Sequence, residues 1–66
     1  MKVKYTLKSK GAESRYKMKV GDSIILELSN VHTTPANGQL KAAIEEKFGV
    51  KIHTTPQSSN FDKEKA

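Results

Sequence analysis

The sequence predicts a small two-layer α+β domain of the order β-β-β-α-β. In this prediction an antiparallel three-stranded meander carries one helix packed on its apolar face, and a short fourth strand follows. Apolar and charged residues alternate along much of the first 28 positions, which is the two-residue period of strands. Apolar residues then recur at three- and four-residue spacing over residues 40–48, the period of a helix. A chain of 66 residues is long enough for one such domain.

The first two predicted strands form a β-hairpin with Gly11 in its turn. A turn of two residues, Lys10-Gly11, and a turn of four residues, 10–13, both keep one face of the hairpin apolar and the other cationic. We expect the tyrosines of the apolar face to be core residues. The apolar face consists of Val3, Tyr5, Leu7, Tyr16, Met18 and Val20.

The third predicted strand follows a three-residue loop at residues 21–23. This loop length places Ile24, Leu26 and Leu28 on the core face, whereas a two-residue loop would place them among the lysines. Ile25 then points outward, under a loop, at a sheet edge or in an interface.

The predicted helix opens at Thr34-Pro35, because threonine can cap free amides and proline suits the first helical position. Gly38 disfavours that start and makes Asn37 a second candidate for the N-cap. The helix ends at Gly49, a residue type that favours helix C-termini. Its apolar stripe, predicted to cover the sheet, is Leu40, Ala43, Ile44 and Phe48.

Two short segments follow the helix. Residues 50–53 alternate in polarity and predict the fourth strand, parallel to the first or the third strand. The predicted domain covers residues 1–56, and residues 57–66 are a polar C-terminal tail with Phe61 as its one large apolar residue. The tail is interpreted as a flexible, solvated terminus, with the alternative that Phe61 pins a last extended segment to the domain.

The composition limits the possible chemistry. The chain has no cysteine, which excludes disulfides, thiol catalysis and cysteine-based metal sites. It contains no phosphate-binding loop, nucleophile elbow or obvious carboxylate pair, so we expect a non-enzymatic domain without a cofactor. No apolar run is long enough for a secretion signal or a membrane span, which predicts a cytoplasmic protein with no membrane partner.

Positive charge is concentrated in the first third of the chain. Residues 1–20 contain seven cations and one anion, whereas the other 46 residues contain five cations and six anions. The first functional hypothesis is therefore a module that binds the nucleic-acid backbone through a lysine-rich hairpin face. Because both tyrosines share the apolar face, this binding would not depend on base stacking and would be mostly non-specific. The cations assigned to this site are Lys2, Lys4, Lys8, Arg15, Lys17 and Lys19.

The alternative hypothesis is a protein–protein interaction or regulatory module without a nucleic-acid role. Its apolar fraction of 35% predicts a thin core, for which oligomerisation or a partner is a common means of stabilisation. Such a module would bind an acidic protein surface through the same cations, or form a homo-oligomer through sheet edges and Ile25. Lysines on edge strands can also serve solubility alone.

The pattern His-Thr-Thr-Pro occurs twice, at residues 32–35 and 53–56. We interpret both copies as hydroxyl-rich turns at strand ends. One alternative is an anion site at the helix start, formed by Thr33, Thr34, Asn37 and Gly38. A metal site at His32 and His53 is disfavoured because further ligands at metal-binding spacing are missing, so no metal is predicted. Catalysis by a histidine with a hydroxyl partner is disfavoured by the lack of an orienting group.

Overall fold

The computed structural model describes residues 1–36 and 38–66 and forms an α+β domain. Its strands and helices, in chain order, are β1 (Lys2–Leu7), α1 (Glu13–Tyr16), β2 (Ser23–Glu27), α2 (Gln39–Phe48) and β3 (Phe61–Lys65). Two 3₁₀ turns, at Lys10–Ala12 and Ser58–Asn60, precede α1 and β3. The predicted class, a small α+β domain with a three-stranded antiparallel sheet and one long helix, is confirmed. Within the described ranges, no helix has the length and apolar character needed to cross a membrane.

The strand order is β2-β1-β3, so the central strand is β1 and the sheet is not a meander. Lys4 in β1 lies opposite Ile25 in β2 on one side and opposite Glu64 in β3 on the other. Both pairings are antiparallel. The predicted meander order is therefore corrected: the third strand comes from the end of the chain.

The predicted alternation holds in β1 and β2. Val3, Tyr5 and Leu7 are buried on the inner face of β1, and Ile24 and Leu26 are buried on the same face of β2. The residues between them face outward, as the two-residue period requires. The inner face of the sheet is covered by α2, whose Leu40 and Ile44 belong to the core.

The prediction of a strand over residues 15–20 is wrong. Residues 10–16 instead form helical turns, and Lys17 ends α1 with a left-handed φ of 54°. The Glu13 carboxylate accepts a hydrogen bond from the Val20 N–H at 2.7 Å, which folds the chain back on itself. Tyr16 and Met18 are buried as predicted, but Val20 is 48% exposed. A pattern of three alternating residues was too short to outweigh this local hydrogen bonding.

Residues 50–53 do not form the predicted fourth strand. Ile52 is buried, and its N–H donates to the Glu45 carboxylate of α2 at 3.0 Å instead of to a neighbouring strand. The helix starts later than predicted, with Gly38 as the N-cap, and the rival N-cap Asn37 lies outside the described residues. Its end at Gly49 is confirmed: this glycine has a φ of 65° and donates its N–H to the Glu45 carbonyl.

The polar C-terminal segment contributes β3 instead of forming a separate tail. The Phe61 ring packs parallel to the Tyr16 ring at 5.8 Å and edge-on to the Tyr5 ring at 6.1 Å. Phe61 is buried, which agrees with the alternative that it pins a last extended segment. The boundary predicted at residue 56 therefore does not separate the core from a solvated tail.

Burial of the Tyr5 hydroxyl predicts an alkaline limit to stability. Burial raises the pKa of this hydroxyl above its ordinary value of 10.0. The folded state then holds the proton more tightly than the unfolded state, so the associated stability is present below the unfolded pKa and is lost as the pH rises through the folded pKa. We expect the free energy of unfolding to fall above about pH 10, and Tyr5→Phe to remove part of that fall. Urea titrations of both proteins at neutral and alkaline pH test this, and an identical fall in the two proteins would contradict it.

Candidate functional site

The six cations assigned to the hairpin face lie in two separate places. Lys2 and Lys4 are on the outer face of β1. Lys8, Arg15, Lys17 and Lys19 lie in the connection between β1 and β2. The predicted common lysine-rich face is wrong because the second half of that hairpin is not a strand.

Acidic residues neutralise much of the outer sheet face. The Lys4 ammonium lies 3.9 Å from a Glu64 carboxylate oxygen, and the Lys8 ammonium lies 3.7 Å from an oxygen of Asp62. Glu27, opposite Lys2 in the register, is paired with the N-terminal ammonium of Met1 at 3.1 Å. The outer face is therefore of mixed charge and does not form a continuous cationic track for phosphates.

A second surface keeps a cationic excess. We name residues 8–22 the basic connection; it contains five exposed cations and two carboxylates. Both carboxylates accept hydrogen bonds from the backbone of the same segment: Glu13 from the Val20 N–H, and Asp22 from the Lys19 N–H at 3.0 Å. The cations are Lys8, Lys10, Arg15, Lys17 and Lys19.

Three of these lysines line one shallow depression of about 570 Å³. Lys10, Lys17 and Lys19 surround it, and the buried Met18 contributes to its lining. Glu13, Ser14 and Asp22 complete the lining. Lys10 was not among the predicted site residues because it was assigned to the hairpin turn. The charge block in the first third of the sequence was the signal that could have included it.

The basic connection is fixed to the rest of the domain at several points. The Tyr16 hydroxyl accepts hydrogen bonds from the Gln57 N–H and from the Asn60 side-chain amide, both at 2.9 Å. The Lys8 N–H donates to the Asn60 carbonyl at 3.0 Å. The Arg15 guanidinium lies 5.7 Å from the centroid of the Tyr16 ring, within cation–π range. These contacts hold the cations on a packed segment that is tied to the core.

The predicted anion site is only partly assembled. Thr34 and Gly38 line a cavity of about 140 Å³, but Asn37 lies outside the described residues. Thr33 is not part of that lining, and its hydroxyl oxygen accepts a hydrogen bond from the Asn30 N–H at 3.2 Å. Sequence reasoning missed the other wall, which comes from the second His-Thr-Thr-Pro copy through Thr55 and Pro56. The repeat was the available signal, but only the fold brings its two copies to one cavity.

The two copies also differ in local structure. In the first copy, after β2, the His32 N–H donates to the Asn30 side-chain oxygen at 2.8 Å, which forms the expected polar turn. The second copy follows no strand, so the interpretation of a turn at a strand end is wrong for it. His32 and His53 are both exposed, and no group of three or more potential metal ligands is found in the described part of the chain.

The chemistry available on these surfaces is non-covalent recognition of anions. Ammonium and guanidinium groups on the basic connection can contact phosphate or carboxylate oxygens. The cavity between the two threonine-proline turns offers hydroxyl groups from Thr34, Thr55 and Ser58. In comparisons with known proteins, the chain matches no family model, no curated protein and no solved structure.

Proposed function

We propose that this chain is a non-catalytic module that binds the phosphate backbone of nucleic acid through the basic connection. The observation that supports the proposal most is the density of exposed cations in the basic connection, which has four within fifteen residues besides Lys8, whose ammonium is paired with Asp62. The two carboxylates of that segment are engaged by backbone amides, which partly satisfies them before any ligand arrives. Each phosphate that the cations neutralise releases counterions, which favours binding at low salt.

Binding is proposed to be independent of base sequence. Tyr5 and Tyr16 are buried, so their rings are not available to stack with bases. Lysine ammonium groups are point charges that lack the fixed donor fork of arginine, which favours contacts with phosphates over recognition of particular bases. The depression lined by Lys10, Lys17 and Lys19 is the proposed centre of contact.

The backbone of Lys17 gives further support. Its left-handed conformation favours glycine, and a residue with a Cβ pays roughly 1 kcal/mol to adopt it. A lysine at this position lowers the free energy of unfolding, but it places a cation on the rim of the depression. Strain of this kind is often found where a side chain serves a function.

Lys17→Gly is expected to separate binding from folding. The variant loses one cation but relieves the left-handed strain, so the protein should be more stable and bind a mixed-sequence DNA duplex more weakly. With Lys19→Ala added, the slope of log K against log salt should become shallower by about two, since each lost phosphate contact removes roughly 0.9. Fluorescence anisotropy at several salt concentrations measures the slope, and urea titration measures stability.

Lys2→Ala combined with Lys4→Ala is the matched control. It also removes two lysines, but from the outer face of β1, where Glu64 and Glu27 lie on the neighbouring strands. We expect its salt slope to remain that of the unmodified protein. Equal losses of DNA affinity in the two double variants would indicate that binding depends only on the total charge of the protein. The proposal would be refuted if the unmodified protein did not bind the duplex at low salt.

A further inference from the structure

The outer edge of β2 leaves one open main-chain position at its centre. The register pairs the backbone groups of Ile24 and Leu26 with β1 and turns those of Ile25 away, towards the side where β2 has no neighbouring strand among the described residues. The flanking carbonyls are already occupied by α2: Ser23 accepts from the Lys47 ammonium at 2.6 Å, and Glu27 from the Gln39 side-chain amide at 3.3 Å. Ile25 therefore offers both an N–H and a carbonyl at this edge, whereas the carbonyls on either side of it are occupied.

The Ile25 side chain is available for contact at the same position. It is 46% exposed on the outer face, although isoleucine is most often buried. A groove of about 370 Å³ runs between β2 and α2, with Ile25 and the small Ala43 in its lining. An additional strand beside β2 could thus hydrogen-bond to the Ile25 N–H and carbonyl, contact the Ile25 side chain and occupy the groove next to α2.

We infer that β2 pairs with β2 of a second copy of this chain, antiparallel and about a twofold axis at Ile25. Each Ile25 donates its N–H to the other Ile25 carbonyl, and the two side chains meet on the outer face. The two sheets then join through this central pair of hydrogen bonds, while the flanking Ser23 and Glu27 carbonyls keep their bonds to α2. This self-association is a property beyond the proposed binding of nucleic acid and does not depend on it.

Charge complementarity supports a second copy as the occupant. In this register Ser23 of one copy lies opposite Glu27 of the other, so the two Glu27 side chains are not opposed. The Lys47 ammonium, which lies at the Ser23 carbonyl, then faces Glu27 of the second copy, whose carboxylate it would share with the Met1 ammonium of that copy. Twofold symmetry repeats this ion pair on the other side of the axis.

The opposite edge of the sheet is unsuited to the same pairing. Along β3 the register turns the backbone groups of Lys63 and Lys65 outward, and both side chains are exposed. Lysines on an edge strand disfavour pairing with an identical strand, because the ammonium groups of the two strands would lie close together and repel each other. Self-pairing is therefore assigned to β2 alone.

Ile25→Lys is expected to weaken the association strongly, because two ammonium groups would meet at the axis. Sedimentation equilibrium over a wide range of concentrations should show a weak dimer for the unmodified protein and a dissociation constant raised by roughly tenfold or more for the variant. Val20→Lys is the matched control, since Val20 is 48% exposed and belongs neither to β2 nor to the lining of the groove. In ¹⁵N–¹H spectra recorded on dilution, the Ile25 amide should shift while the Val20 amide does not.

A charge exchange tests the register. Lys47→Glu should weaken the dimer by placing two carboxylates together, and Glu27→Lys added to it should restore association towards that of the unmodified protein. A monomeric mass at all concentrations with an unchanged Ile25 amide would overturn the inference. An Ile25→Lys variant that associates as strongly as the unmodified protein would also overturn it. Failure of the double exchange to restore association would overturn the proposed register.

Discussion

Phe61→Ala is expected to lower the free energy of unfolding by about 3–5 kcal/mol, the usual cost of deleting a buried aromatic ring. The Phe61 ring lies between Tyr5 and Tyr16, so its loss leaves a cavity where the sheet meets the basic connection. The core of a chain this short rarely supplies more than about 3–5 kcal/mol of stability, so the variant should be partly unfolded at room temperature. Urea titration followed by circular dichroism measures the change.

Lys63→Ala is the control for this prediction. It lies two residues further along β3, is exposed and should change stability by less than about 0.5 kcal/mol. If residues 61–65 contributed nothing to the fold, the two variants would have similar, small effects. That outcome would contradict the placement of β3.

Tyr16→Phe and Tyr5→Phe are expected to change stability in opposite directions. Both remove one hydroxyl from a buried tyrosine and keep the ring. The Tyr16 hydroxyl accepts two hydrogen bonds, from the Gln57 N–H and the Asn60 amide, so its removal should cost roughly 1–2 kcal/mol. The Tyr5 hydroxyl is buried without a partner in the described structure, and its removal should stabilise the fold by about 1 kcal/mol.

The two variants serve as controls for each other, because each removes one hydroxyl group and changes the side-chain volume by the same amount. Thermal and urea unfolding at neutral pH give both free energies. Destabilisation by Tyr5→Phe comparable to that of Tyr16→Phe would mean that the Tyr5 hydroxyl has a hydrogen-bond partner.

The sequence predicted β1, β2 and α2 because each carries a full periodic pattern of buried residues. β3 was not predicted as a strand, since only Phe61 in it is apolar and its other side chains are charged and exposed. Its stability comes from pairing with β1 and from burial of Phe61, to which the exposed ion pairs of Asp62 and Glu64 with lysines far away in the sequence add little. Such long-range partners leave no local pattern to detect.

The candidate site was predicted in part for a similar reason. A block of positive charge is visible in the sequence, and Lys17 and Lys19 remain on one surface because they are close along the chain. Lys2 and Lys4 are separated from that surface because Lys10–Tyr16 form helical turns instead of a returning strand. The cavity shared by the two His-Thr-Thr-Pro copies depends on tertiary packing and could not be placed from the repeat alone.

The central position of β1 also determines how the two ends of the chain are related. The Ala66 N–H donates to the Lys2 carbonyl at 2.9 Å, so both ends leave the sheet side by side. A short peptide could join them, and new ends could be opened at an exposed bond such as His53–Thr54, without interrupting any strand. The architecture is thus compatible with circular permutation, and the order of its elements along the chain is not essential to their packing.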